Sequence, residues 1–152
     1  MKKNERIAAF VGTLGNDPAG PLDPRYQGFF TCFNARQYYE AHDVLENLWL
    51  ETAGGDSLFF KGLIQVAGAF VHLQKHFLNP DHPKHGRRLR PAARLFHLAL
   101  ANLEPFAPRH LRLDVAHLCQ LCRHVAAEVA SADFQRNPWH PAHAPQLRLE
   151  PA

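Results

Sequence analysis

Two long segments of this chain repeat apolar residues at helical spacing and contain no proline: Phe33 to Glu51, and Asp56 to about Phe77, with Gly54-Gly55 between them. Proline breaks a helix interior because it lacks the N–H that the helix needs and its ring collides with the preceding turn. Apolar residues spaced three and four apart line one side of a helix, which must then be buried. In the second segment Phe59, Leu63, Val66, Phe70, Leu73 and Phe77 fill one side, and Phe60, Ile64, Ala67 and Val71 fill much of another. A helix apolar over so much of its girth belongs at the centre of a bundle. The expected fold is all-α, a single-domain helical bundle of about four to six helices.

Punctuation residues set the rest of the organisation. Gly15, Asp17, Pro18, Gly20, Pro21, Asp23 and Pro24 crowd together as turn formers, so residues 1–28 read as an irregular N-terminal segment. Asn34 is the expected N-cap of the first long helix, and Asp56 or Ser57 that of the second. Asn79-Pro80-Asp81 is a turn. A third helix is expected over roughly 84–103, with Pro91 kinking it or marking its true start, and a fourth over about 112–134. The bundle domain therefore spans 29–136. From Asn137 the chain carries Pro138, Pro141, Pro145 and Pro151 and reads as an extended proline-rich tail, 137–152. No strand hairpin, internal repeat or low-complexity run is evident.

Hydrophobic residues make up 46% of the 152 and charged residues 20%, which suits a protein with a packed core. The apolar runs are interrupted well before the roughly 18 residues that a membrane span needs, and Met1 to Phe10 lacks a secretory signal pattern. The expected address is cytoplasmic. Three cysteines, an odd number, fit a reducing compartment. Eleven histidines demand more thought, since histidine is the common metal ligand and proton shuttle.

On the first long helix, Glu46 falls about 40° round the axis from His42, Trp49 about 20° and Tyr39 about 60°. That reading puts His42 and Glu46 inside the apolar arc between aromatic rings, and Asp43, Glu40, Asn47 and Glu51 outside it. A buried carboxylate is costly unless paired, and residues four apart on a helix can pair. The pair admits two readings: a metal or general-base site, with His42 and Glu46 as the catalytic candidates, or a hydrogen-bonded network that fixes packing. On the second helix Gln65 and His72 share a narrow polar stripe that Gly68 and Ala69 would let approach the first helix. Gln65 and His72 would then meet His42 and Glu46. Lys61 and Lys75 on the same stripe favour solvent instead.

Quoted in order, Phe33-Asn34, Tyr38-Tyr39-Glu40-Ala41-His42-Asp43-Val44-Leu45-Glu46, Trp49, Gly62-Leu63-Ile64-Gln65-Val66-Ala67 and His72 resemble the domain of unknown function 309 family. Its signature runs Phe-Asn, Glu-Ala-His-Glu-x-x-Glu, Trp, Gly-Leu-Ile-Gln-x-Ala and a later His. The resemblance covers about residues 23–105, with Asp43 standing where the family usually has Glu. It implies an all-α bundle and no particular activity, and it groups His42, Glu46, Gln65 and His72 as one constellation.

Other constellations read as bland. Cys119 and Cys122 have C-x-x-C spacing, but they share the apolar stripe of Leu118, Val125 and Val129 while His117 and His124 point the other way, as expected of two inert core thiols. Lys84, Arg87, Arg88, Arg90 and Arg94 form a basic cluster that Arg109 and Arg112 extend; it reads as a solvated face, with phosphate or nucleic-acid binding as the sharper alternative. His82, His85, His97, His110, His140 and His143 read as surface residues. No phosphate loop, dinucleotide fingerprint, nucleophile elbow or H-E-x-x-H is present.

Three functions stay open. The preferred one is a binding or assembly module whose polar core residues are structural, with a small ligand or a second copy of the chain as partner. The second is a hydrolase-like or small-ligand site. There His42 is base or ligand, Glu46 is ligand or orienter, His72 completes a divalent-metal set, and Tyr39, Trp49 and Gln65 contact the ligand. The third is nucleic-acid binding through residues 84–94; neither nucleic acid nor a membrane is the expected partner.

Overall fold

A computed structural model describes residues 22–151. Among them are five α-helices: α1 (Pro24–Asn34), α2 (Tyr38–Leu50), α3 (Asp56–Leu78), α4 (Leu89–Leu103) and α5 (Val115–Ser131). Each packs most closely on its neighbours in sequence, α3 and α4 most extensively. No helix among the described residues is long and apolar enough to cross a membrane. The all-α bundle is as expected; several boundaries are not.

The stretch expected to be irregular through residue 28 already turns helical at Pro24, and the remainder of it, 1–21, lies outside the described residues. The start is well specified. The Asp23 side chain accepts from the Arg25 N–H, and proline takes the first helical position, where no N–H is required. Helix α1 buries Tyr26, Phe29, Phe30, Cys32 and Phe33.

The single helix expected from Phe33 is two. Phe33 and Asn34 end α1, and the backbone breaks at Arg36, whose φ of 61° is left-handed. Packing explains the break. Residues five apart on one continuous helix point about 140° away from each other, yet the Phe33 and Tyr38 rings are both fully buried and meet edge to face at 5.1 Å. Asn34 is accordingly no N-cap. Its side chain clamps the tail instead, donating to the Leu147 carbonyl at 2.8 Å and accepting from the Leu147 N–H at 2.7 Å.

Helices α2 and α3 run antiparallel. Near the start of α2, Tyr38 stacks on Phe70 at 5.3 Å and the Arg36 carbonyl accepts from Gln74, both partners lying in the later half of α3. Gly62 sets the other side of α3: a Cβ there would sit 2.7 Å from Leu103 Cγ, so its absence lets α4 come close. Helix α4 begins at Leu89 rather than 84, which leaves Pro91 in the first turn, where proline is tolerated.

Between α4 and α5 lies a two-stranded hairpin, Arg109–His110 with Leu113–Asp114, where no hairpin was expected. Its two turn residues, Leu111 and Arg112, have φ of 45° and 64°. Turns of that kind normally advertise themselves with Asn or Gly. Here tertiary contacts hold the turn: the Tyr26 hydroxyl donates to the Leu111 carbonyl, and Arg112 exchanges hydrogen bonds with the Glu150 backbone. Asp114 then caps α5 by accepting from the His117 N–H. The tail packs down, with Trp139 and Leu147 buried and the Trp139 indole N–H donating to the Tyr38 hydroxyl at 3.0 Å.

Candidate functional site

The buried arc of α2 runs through Ala41, Leu45, Leu48 and Tyr38, because this helix packs against α1 and α3 together. Its centre lies about 100° round the helix from His42. His42 and Glu46 thus sit at the rim of the core, each with a side chain 31% exposed, rather than inside it. Two neighbours are reversed from expectation. Tyr39, expected to shield the pair, is 56% exposed. Asp43, expected to face solvent, is buried, with its side chain only 6% exposed.

The result is an ordered line of three groups. His42 Nδ1 lies 3.2 Å from Asp43 Oδ1, and His42 Nε2 lies 3.9 Å from Glu46 Oε2. A carboxylate only accepts, so the close contact assigns the imidazole proton to Nδ1 and leaves Nε2 as the basic nitrogen at the half-exposed rim. Tyr39 lies nearly parallel to the His42 ring at 6.4 Å, with the Lys75 ammonium 5.8 Å from its own ring centre. One turn beyond Glu46, Trp49 is partly buried, and its indole N–H has no hydrogen-bond partner among the described residues.

Gln65 and His72 do share a stripe of α3, but it turns to α4 and not to α2. Gln65 Oε1 accepts from Asn102 at 2.8 Å. His72 Nδ1 accepts from the Arg88 guanidinium at 3.0 Å. Gly68 likewise faces α4, where an added Cβ would meet Leu95. The burial of His72 first, and then Arg88 and Lys75, push its pKa down to about 4. The ring is neutral, as an acceptor from a guanidinium must be. Among the described residues no three His, Cys, Asp or Glu side chains converge as a metal set, and His72 is not brought to His42 and Glu46.

Arg88 is held in an unusual way. Besides His72, it donates through Nε and Nη2 to His85 Nδ1, at 3.1 and 2.8 Å. His85 stacks on His82, whose own Nδ1 caps the turn by accepting from the Lys84 and His85 N–H groups. These loop histidines are therefore structural acceptors rather than idle surface groups. His110 is structural too, but as a donor: it packs on Phe59 at 4.7 Å and its Nε2 lies 2.7 Å from Asp56 Oδ1. The two α5 cysteines are buried as expected, and burial raises both thiols, Cys122 to about 12, so neither supplies a thiolate.

Residues 26–79 match a protein family described as Domain of unknown function (DUF309). Over that segment, about a third of the chain, the sequence is similar to DUF309. No curated protein and no solved structure matches the chain. The DUF309 segment coincides with α1, α2 and α3, and it contains His42, Asp43, Glu46, Trp49, Gln65 and His72. It stops short of Asn102 and Arg88, so the partners that hold its Gln65 and His72 come from outside it. Asp43 is the site residue that helical angles missed. The legible signal was its place in the family-like run, one position after the histidine, where an acidic residue is usual.

Proposed function

We propose that the chain is a binding module whose DUF309-like segment recognises a cationic group, a divalent metal ion foremost, at the His42–Glu46 rim of α2. The observation that carries this reading is the asymmetry of the His42 ring: one nitrogen is tied to a buried carboxylate, and the other meets solvent beside a second carboxylate. A buried Asp behind an imidazole fixes its tautomer and ring orientation, as it does for metal-bound histidines. His42 and Glu46 are the two groups that would hold a metal here, and its remaining ligands would come from water or from a bound molecule, as with cations shared between protein and substrate.

The same dyad supports a second reading, a hydrolytic enzyme. Asp43 would orient His42, and His42 Nε2 would take a proton from water. Both readings need a competent His42. In thermal melts of dialysed protein, zinc, manganese or nickel is expected to raise the midpoint. Saturation at a hundred times Kd corresponds to about 2.7 kcal/mol. His42→Ala is expected to abolish the rise. If no metal shifts the wild-type midpoint, or if the shift survives in His42→Ala, the cation site is wrong. A His42→Ala protein that is merely less stable, with no metal response in either form, would make the Asp43–His42–Glu46 line a packing device.

A further inference from the structure

Where α3 ends and α4 begins, the bundle has a cleft of about 630 Å³. Its floor and walls come from four places: His76 near the end of α3, Pro80 and Gly86 in the connecting loop, Arg87, Leu89 and Arg90 at the start of α4, and Phe134 and Gln135 after α5. The volume is that of a small-molecule site.

The charge in this cleft has one sign. Arg87 and Arg90 line it, and no Asp or Glu does. Neither arginine makes an ion pair among the described residues, although carboxylates partner Arg25, Arg109 and Arg123 elsewhere. Arg90 is already placed: its guanidinium lies 4.1 Å over the Phe134 ring, which orients the donors without neutralising them. Arg88, just behind, is bound by two imidazole nitrogens and not by a carboxylate, so its charge also persists. On the cleft wall His76 Nδ1 is buried with no hydrogen-bond partner among the described residues. An unmet buried nitrogen is costly.

The loop that closes the cleft is firmly made. Gly86 donates to the His82 carbonyl and packs so near the Pro80 carbonyl that a Cβ would collide with it. The turns at His82 are capped as described above. Leu89, Pro80 and Phe134 give the remaining surface an apolar character suited to an uncharged ligand body.

We propose that this cleft binds a small phosphomonoester, its phosphate held by Arg87 and Arg90, a phosphate oxygen hydrogen-bonded by His76, and its organic part resting against Leu89 and Phe134. Arginine forks match phosphate oxygens, and convergent unpaired guanidinium groups in a partly enclosed site are the chemistry that selects them. This site is separate from the His42 rim and does not depend on it.

Calorimetric titration of the full chain at low ionic strength tests the proposal, with phenyl phosphate and inorganic phosphate as probes and phenol as the uncharged control. Phenyl phosphate is expected to bind at one site per chain and more tightly than inorganic phosphate, while phenol gives no heat. Arg87→Gln, at an exposed position, is expected to weaken binding by about tenfold or more, equivalent to about 1.4 kcal/mol, without moving the melting temperature. Arg94→Gln removes an exposed charge from the same helix outside the cleft and is expected to leave binding unchanged. His76→Gln is expected to weaken phenyl phosphate binding as well. No stoichiometric heat with either phosphate overturns the proposal. So does equal weakening by Arg87→Gln and Arg94→Gln, which would mean diffuse attraction to a basic surface. A single-stranded oligonucleotide that binds more tightly than phenyl phosphate, with affinity lowered equally by the Arg87 and Arg94 substitutions, would replace the small ligand by nucleic acid.

Discussion

At Nδ1, His72 accepts a hydrogen bond from Arg88, and only the neutral ring can do so. Its pKa is depressed from the ordinary 6.5 to about 4, by burial first and by Arg88 and Lys75 after it. The sign of the pH effect follows. Between these two values the unfolded chain binds a proton that the folded chain refuses, so stability rises with pH across the window and is lost as pH falls from about 6.5 towards 4. His76 is shifted the same way by its burial. Gln keeps an acceptor for Arg88 but does not titrate. The melting temperature of His72→Gln is therefore expected to fall less than that of the wild type between pH 6.5 and 4, and differential melts at several pH values read the difference. Identical slopes would mean that Arg88 does not hold the ring neutral.

For the helices, the decisive contacts are close approaches. Gly62 and Gly68 both face α4, but they do not tolerate a methyl group equally. Ala at 62 drives Cβ into Leu103, which is fully buried and cannot retreat. Ala at 68 meets only Leu95 Cδ1 at 3.2 Å, the end of a half-buried side chain. Either change gains helix propensity worth about 1 kcal/mol. Overpacking at 62 costs about 1–3 kcal/mol and outweighs the gain. Urea denaturation is expected to show Gly62→Ala destabilised and Gly68→Ala near neutral or slightly stabilised. The reverse order would mean that α3 and α4 do not meet at Gly62. The stripe of Gln65, Gly68 and His72 was readable from spacing; which helix it faces was not, because a helix with two neighbours carries no local mark of which one takes the polar strip.

Over the whole molecule, the tail acts as a strap across the first three helices. Trp139 meets Tyr38 and Phe77 edge to face, Asn137 donates to the Leu73 carbonyl, and Asn34 holds Leu147 by both backbone groups. Trp139→Ala removes that packing and leaves the Tyr38 hydroxyl short of its donor, a change worth about 3–5 kcal/mol for a buried aromatic ring. A midpoint shift of that size in urea is expected. A loss below about 1 kcal/mol, the scale of a surface change, would show that the tail contributes nothing to the bundle.

Periodicity and punctuation alone determined that the chain is an all-α bundle, that Asp56 to about Phe77 is its central helix, and that the α5 thiols are core. Those properties are local, since they follow from which residue types recur every three or four positions. Only the tertiary structure decided that Asp43 lies inside and Tyr39 outside, that Arg88 and Asn102 claim His72 and Gln65, and that Phe134 comes to lie under Arg90. Each of those outcomes depends on how far a helix rotates between two neighbours or on contacts tens of residues apart. Helical angles measure position relative to a chosen residue, and they are silent about where the core is. Packing against α1 and α3 together supplied that missing reference for α2, and it moved His42 from the middle of the buried arc to its edge.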